Sequence, residues 1–268
     1  MKLSSLTTAL AALYGAPLPA YFIGVESDPK TVLRNDTDLT DPIQYLTGIL
    51  YLAPAGTSGY QTCPNRSAGC EATCLFYAGR GGLLKSGQTE SDVNAARRRR
   101  TELLFRHRTE TLRVIDAELT RLEARAARRG LKAAVRLNGT SDLPWEAMRL
   151  DGQSLIDRHP AVQFYDYTKD FRRMARFLRG GFPFGYWLTF SASENNLNEQ
   201  YAILAAGGNV ATPFRTERHP ETWLSRPVLS GVDSDLRFHD GLRGRVIALC
   251  AKGKAAKADR SGFIVDVN

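Results

Sequence analysis

The sequence predicts an α/β fold, arranged as a full or partial (β/α) barrel of six to eight mainly parallel strands. Short apolar runs alternate with helical stretches from Leu46 onwards, which is typical of parallel strands in βα repeats. Polar residues follow nearly every run, and in a barrel these strand ends converge on one mouth. An open, doubly wound sheet is the alternative arrangement.

The chain is expected to form one domain with an N-terminal extension. Residues 1–45 form the extension, which packs on the domain and contains a helix at residues 3–14 that Pro17 and Pro19 end. Residues 46–268 form a single barrel-like domain with a cysteine loop at residues 54–82. The apolar fraction of 43% is ample for a sizeable core.

Seven apolar runs predict strands, and an eighth run extends the series. The runs are residues 46–53, 133–137, 162–168, 186–190, 209–212, 227–232, 246–250 and 262–267. Pro213 is expected to end the fifth strand, because proline cannot donate a ladder hydrogen bond.

Helical periodicity separates several of these runs. A long region at residues 89–129 has apolar residues at helical intervals, with a break predicted near His107 and a stop at Gly130. A basic helix is predicted at residues 170–179. Another helix is predicted at residues 196–206.

The net charge of +8 suits an anionic partner such as a nucleotide or a nucleic acid, although a basic surface also serves solubility. Arginines are concentrated at residues 97–100 and in the predicted helix at residues 170–179. The four cysteines do not form a disulfide framework, and no run approaches the roughly 18 apolar residues that span a bilayer. A cytoplasmic protein without a membrane partner is therefore expected.

Three of the four cysteines, Cys63, Cys70 and Cys74, lie in a loop just after the first predicted strand. Three crowded thiols are typical of metal ligands. A [4Fe–4S] cluster held by three cysteines would leave one iron open, whereas a structural zinc would need a fourth ligand from far along the chain. Cysteines without metal are the third alternative. Cys250 lies in an apolar run and is expected to be a buried strand residue.

Polar residues at the other strand ends are the remaining candidate site residues. The candidates for substrate binding and catalysis are Asp166, Lys169, Asp233, Asp235 and Lys252. The candidates for cofactor binding are Asn138, Thr140, Ser141, Asp142, Ser191 and Ser193. Asp142 and Ser193 are equally suited to cap helices.

This layout resembles that of the radical S-adenosylmethionine enzymes, which place three cluster cysteines after the first barrel strand. Six and three residues separate the cysteines here, instead of that superfamily's usual three and two, and no Gly-Gly-Glu follows the second strand. The resemblance implies a [4Fe–4S] cluster, S-adenosylmethionine and an electron donor. It assigns the amino acid end of the cofactor to Asn138–Asp142, and the ribose hydroxyls to Ser191 and Ser193.

Several segments also resemble the gene-product-88 family of mycobacteriophages and actinobacterial mobile elements. The segments are residues 45–55, 63–81, 136–142, 164–169, 251–253 and 261–263. This resemblance implies a phage-type or plasmid-type setting, and so the cytoplasm of a host cell. It leaves the chemistry to be argued from the residues.

The leading hypothesis is an iron–sulfur enzyme of radical S-adenosylmethionine type that acts on a nucleotide or a nucleic acid. One alternative is a metal-stabilised nucleic-acid-binding protein without catalysis. The other is an iron–sulfur enzyme that uses its open iron as a Lewis acid, without S-adenosylmethionine.

Overall fold

The computed structural model describes residues 2–26 and 44–267, so residues 27–43 of the predicted N-terminal extension lie outside the described residues. The strands are β1 (Ile23–Val25), β2 (Tyr45–Leu50), β3 (Lys132–Arg136), β4 (Val162–Thr168), β5 (Tyr186–Ser191), β6 (Val210–Phe214), β7 (Thr222–Trp223), β8 (Arg226–Ser230) and β9 (Val246–Cys250). The helices are α1 (Leu3–Tyr14), α2 (Ala68–Ala72), α3 (Asp92–Arg106), α4 (Arg108–Arg128), α5 (Leu155–Arg158), α6 (Phe171–Leu178), α7 (Leu197–Ala205) and α8 (Gly253–Ala258).

The protein has a mixed α/β fold with a nine-stranded sheet in the order β1-β2-β3-β4-β5-β6-β9-β8-β7. The end strand β1 is antiparallel to β2, and the other end strand, β7, is antiparallel to β8. The pairs β2–β3, β3–β4, β5–β6, β6–β9 and β8–β9 are parallel. The predicted α/β class with mainly parallel strands is therefore confirmed. Closure into a barrel stays a prediction.

The chain divides into two compact units. The first unit comprises Met1–Thr62, Asn94–Tyr165 and Pro183–Tyr186, and the second comprises Cys63–Val93, Asp166–Phe182 and Trp187–Asn268. Each unit is built from segments that are distant in the sequence.

In the first unit, α4 covers β1, β2 and β3, and α1 packs on α4. Gly48 allows this close packing. A Cβ atom on Gly48 would lie 2.6 Å from Cγ2 of Ile23 and 3.2 Å from Cδ2 of Leu122, which is too close for a side chain. Buried apolar residues from β2 and α4, such as Ile49 and Ile115, fill the core.

In the second unit, the core is formed by the strands β5, β6 and β9, which contribute buried residues such as Phe190, Val210 and Ile247. α7 packs on β6 and on α6, and contributes the buried Ile203. Parallel strands place their carboxyl ends at one edge, so residues 191, 214 and 250 end their strands on the same side of this unit.

Local patterns placed most of the predicted elements to within three residues, and two predictions were wrong. Pro213 lies within β6 instead of ending the strand, because β5 pairs only as far as Ala211 and needs no N–H from residue 213. Residues 262–267 do not form a strand. Gly262 has a φ of +90°, and Val265 makes only an isolated bridge with Phe214.

None of the helices in the described part of the chain combines the length and the apolar character that a bilayer crossing requires.

Candidate functional site

Asn138, which follows β3 in the first unit, holds its own loop together. Its Oδ1 atom accepts hydrogen bonds from Oγ of Ser141 at 2.8 Å, the N–H of Leu143 at 2.9 Å and Nε1 of Trp145 at 3.1 Å. Its Nδ2 atom donates to the carbonyl of Leu143 at 3.0 Å. The side chain is buried, with 1% exposed, so these bonds occupy its polar groups inside the protein.

The same loop is tied to neighbouring backbone within the first unit. The hydroxyl of Thr140 donates to the carbonyl of Leu52, and the N–H of Asp142 donates to the carbonyl of Thr62 at 2.8 Å. The N–H of Gly139 donates to the carbonyl of Leu50 at 2.9 Å. Asn138 and Thr140 thus have structural roles, and binding of a cofactor by residues 138–142 stays a prediction.

The three clustered cysteines belong to the second unit, on a stretch that we call the cysteine segment, residues 63–74. None of the four cysteines is in a disulfide within the described residues, and each is half-buried. Cys70 lies within α2, whose N-cap is Ser67; the hydroxyl oxygen of Ser67 accepts a hydrogen bond from the N–H of Cys70 at 3.2 Å. Cys63 precedes α2 and Cys74 follows it, so the thiols are distributed along a turn, a short helix and its end.

Glu194 fixes the cysteine segment to the carboxyl end of β5. One carboxylate oxygen accepts a hydrogen bond from the hydroxyl of Ser67 at 2.6 Å, and the other accepts one from the N–H of Gly69 at 2.7 Å. Hydrogen bonds to a carboxylate are stronger than those between neutral groups. The segment with three thiols therefore has a defined place at the strand end.

The C-terminal residues contact the same part of the segment. A Cβ atom on Gly69 would clash with Oγ of Ser261, and would lie 2.6 Å from Cβ of Phe263. Asp259 shapes this C-terminal turn by accepting hydrogen bonds from the N–H and hydroxyl of Ser261 and from the N–H of Ile264. Burial alone would raise the pKa of Asp259, but these hydrogen bonds outweigh it and hold the pKa below its usual value.

Lys169 and Ser191 form a polar pair at the ends of β4 and β5. The Nζ atom of Lys169 donates a hydrogen bond to Oγ of Ser191 at 2.7 Å, and it lies 5.4 Å from the ring centroid of Phe263. Both side chains are half-buried. The pair places a cation beside an aromatic ring that also packs near Gly69, so it lies close to the anchored part of the cysteine segment.

The other predicted site residues are dispersed over the second unit. Asp235 accepts a hydrogen bond from the hydroxyl of Tyr167 at 2.8 Å, while Ser193 donates to Oδ1 of Asn195 at 2.8 Å. Asp166 is buried, with 1% exposed. Asp233 and Lys252 are exposed, the latter at the N-cap of α8.

The thiols of the cysteine segment have the chemistry to bind a soft metal or an iron–sulfur cluster. They are not arranged as a formed binding site. Among residues 2–26 and 44–267, no three or more histidine, cysteine, aspartate and glutamate side chains are arranged so that they could hold one metal ion. Cluster binding would require the thiols of the cysteine segment to approach one another.

The sequence-based prediction did not include Glu194, Ser67 and Ser261 among the site residues. Glu194 stands in the same polar group after β5 as Ser191 and Ser193, so its position was a usable signal. Nothing local in the sequence links it to Ser67 or Gly69, because that contact depends on tertiary packing.

A family model described as gene product 88 matches residues 27–267 of the chain. No curated protein and no solved structure matches the chain.

Proposed function

Since this chain belongs to the gene product 88 family over residues 27–267, we propose that it is a phage-type iron–sulfur protein. Cys63, Cys70 and Cys74 hold a [4Fe–4S] cluster in this proposal. The observation that supports it most is the anchoring of the cysteine segment by Glu194 at the carboxyl end of β5. The reaction type is that of radical S-adenosylmethionine enzymes, and the substrate is a nucleotide or a nucleic acid in a host cytoplasm.

Thiol chemistry supports the cluster. Three thiolates are the typical ligands of a [4Fe–4S] cluster that keeps one iron open for another molecule. The three cysteines are half-buried, which gives their thiols access to an incoming cluster without exposing it fully to solvent. Cys63 lies in a turn outside α2, so its position relative to Cys70 can change without unfolding the helix.

The pair of Lys169 and Ser191 supports a substrate-binding role for the neighbouring strand ends. The positive charge of Lys169 suits a phosphate or a carboxylate group, and the ring of Phe263 beside it excludes water from one side. In the proposed barrel, these strand ends would line one mouth. The reaction also needs an electron donor.

Anaerobic purification and iron analysis test the cluster. The proposal expects a brown protein with about four irons per chain. The Cys63→Ser, Cys70→Ser and Cys74→Ser variants should each lose most of this iron. Cys250→Ser is the matched control and should keep its iron. Cys250 is the last residue of β9, and its thiol makes only a weak contact with the carbonyl of Ala251. A colourless protein that holds one zinc and no iron would refute the proposal.

The reaction type has its own test. An intact cluster that is reduced with dithionite in the presence of S-adenosylmethionine should yield 5′-deoxyadenosine. An intact cluster without this product would favour the Lewis-acid alternative.

A second candidate function is nucleic-acid binding without catalysis. The observation that favours it is the set of exposed arginines at residues 172, 176 and 179. In that case, the purified protein binds nucleic acid whether or not it contains metal.

A further inference from the structure

One face of α6 consists of exposed arginines. Arg172, Arg176 and Arg179 are all exposed, and they follow one another at intervals of four and three residues, which places them on one side of a helix. Arg179 caps the helix, about 10 Å along its axis from Arg172. We call these three arginines the α6 arginine face, and Phe171 precedes it at the start of the helix.

The sequence that follows the start of α6 is poor in acidic residues. No aspartate or glutamate occurs between Asp170 and Glu194. Within the described residues, Arg172 and Arg179 have no carboxylate partner. Arg125 of α4 and Arg129 at its C-cap differ in this respect, because both pair with Glu26.

Aromatic rings accompany the arginines. The guanidinium carbon of Arg176 lies 4.6 Å from the ring centroid of Phe182, and that of the buried Arg173 lies 5.9 Å from it. Phe171 has 38% of its surface exposed at the start of the helix. The exposed ring of Phe171 offers a stacking surface for a base, and Arg172 and Arg179 offer cations for phosphates.

A membrane surface fits this face less well. The apolar residues of α6 point into the second unit, with Met174 fully buried and Phe177 packed against Phe182 and Trp187. Phe171 alone adds little apolar area for insertion between lipids. The charge pattern therefore favours a partner that offers phosphates in a row.

We propose that the α6 arginine face binds single-stranded nucleic acid, with Arg172 and Arg179 on phosphates and Phe171 stacked on a base. The proposal deepens the proposed function by naming its substrate class, and it rests on the nucleic-acid part of that function. It does not rest on the cluster, because the surface is present in the metal-free protein.

The test uses the full-length, metal-free protein and fluorescent single-stranded oligonucleotides of DNA and RNA. The variant Arg172→Gln/Arg179→Gln removes two charges from the face. The control Arg121→Gln/Arg128→Gln removes two exposed arginines of α4 at the same spacing, with Glu123 between them. A third variant, Arg172→Lys/Arg179→Lys, keeps the charge.

The wild type should bind, and its affinity should fall with salt. Because each phosphate contact on a single strand contributes about 0.7 to the slope of log K against log salt, the α6 variant should lose about 1.4 of that slope. Its affinity at low salt should fall several-fold. The α4 control and the lysine variant should keep most of the binding, and Phe171→Ala should weaken binding without changing the slope.

Four outcomes would overturn the proposal. They are absence of binding by the wild type, equal losses in the α6 and α4 variants, tighter binding of duplex than of single strands, and α6-dependent binding to anionic vesicles in place of oligonucleotides. Equal melting temperatures of all variants exclude unfolding as the cause of a loss. Iron content is measured separately, so a failure of the cluster proposal leaves this result interpretable.

Discussion

Glu194 accepts a hydrogen bond of 2.6 Å from the hydroxyl of Ser67, and this bond connects the strand end of β5 to the start of α2. A second bond from the N–H of Gly69 uses the other carboxylate oxygen. One side chain thus holds the start of α2, the helix that contains Cys70, at this strand end.

Removal of this carboxylate should loosen the cysteine segment. Glu194→Ala loses two hydrogen bonds to a charged group, so the free energy of unfolding should fall by about 2 kcal/mol. Glu194→Gln keeps one neutral acceptor and should lose about half as much. Denaturant unfolding measures both values, and the rate of thiol modification should rise in the same order.

Glu199→Ala provides the comparison for that experiment. Glu199 lies in the first turn of α7 and is half-exposed, so its loss should change stability by less than about 0.5 kcal/mol. Thiol modification that is as slow in Glu194→Ala as in Glu199→Ala would show that Glu194 does not hold the segment.

Gly69→Ala should destabilise the protein although alanine favours helices. The added methyl would meet Ser261, Phe263 at 2.6 Å and the Glu194 carboxylate at 2.9 Å. Overpacking costs about 1–3 kcal/mol, and the helix propensity gained is about 1 kcal/mol, so a net loss of up to about 2 kcal/mol is expected. Gly56→Ala, which has open space around it, should be close to neutral in the same denaturation assay. An equal effect of both variants would contradict the packing at Gly69.

Asn138→Ala should destabilise the protein in the absence of any ligand. The variant leaves the N–H groups of Leu143 and Trp145 without their acceptor in a buried loop, which costs about 3 kcal/mol. Asn198→Ala on the exposed side of α7 is the control. If Asn138→Ala kept the stability of the wild type, the structural role that we assign to this side chain would be wrong.

The stability of the second unit should depend on pH through Asp240. Burial raises the pKa of this carboxyl from 3.8 to about 6, although Arg237 at 3.2 Å acts to lower it. The folded state then binds the proton more tightly than the unfolded state. The stability from this group is therefore complete below about pH 4 and is lost as the pH rises to about 6.

Asp240→Asn should abolish that dependence. Between pH 4 and pH 7, the free energy of unfolding of the wild type should fall relative to that of Asp240→Asn by about 2–3 kcal/mol, because one pKa unit corresponds to about 1.4 kcal/mol. The loss of the partner of Arg237 adds an offset that does not change with pH. Unfolding curves at several pH values measure the difference, and the exposed Asp151→Asn serves as control. A constant difference across this range would exclude the raised pKa.

Local sequence patterns predicted much of the fold. The bounds of α1 and β4 are as predicted, and the long helical region breaks at His107 between α3 and α4. These elements have a repeated pattern or a strong stop signal of their own. β1 and β7 have only three and two residues, so they exist through pairing with β2 and β8 and leave no pattern to detect.

The site was less predictable than the fold. The position of the cysteines after β2 and the polar strand ends were visible in the sequence, and the bond between Lys169 and Ser191 joins two of the predicted residues. The partners of Glu194 and Asp259 were not visible, since they depend on how distant segments pack. For Asn138, the sequence revealed the residue but not its role. An amide in a strand-end loop has the same sequence signal whether it binds a ligand or holds the loop.

The packing of Gly69 against Ser261 and Phe263 sets an order of events during synthesis. The ribosome releases residues 63–74 well before residue 263, so a long stretch of later chain must emerge before this contact forms. Until then, the thiols of the nascent chain lack their C-terminal cover. Any metal or oxidant that acts on a growing chain therefore meets these cysteines in a more open state than in the finished protein.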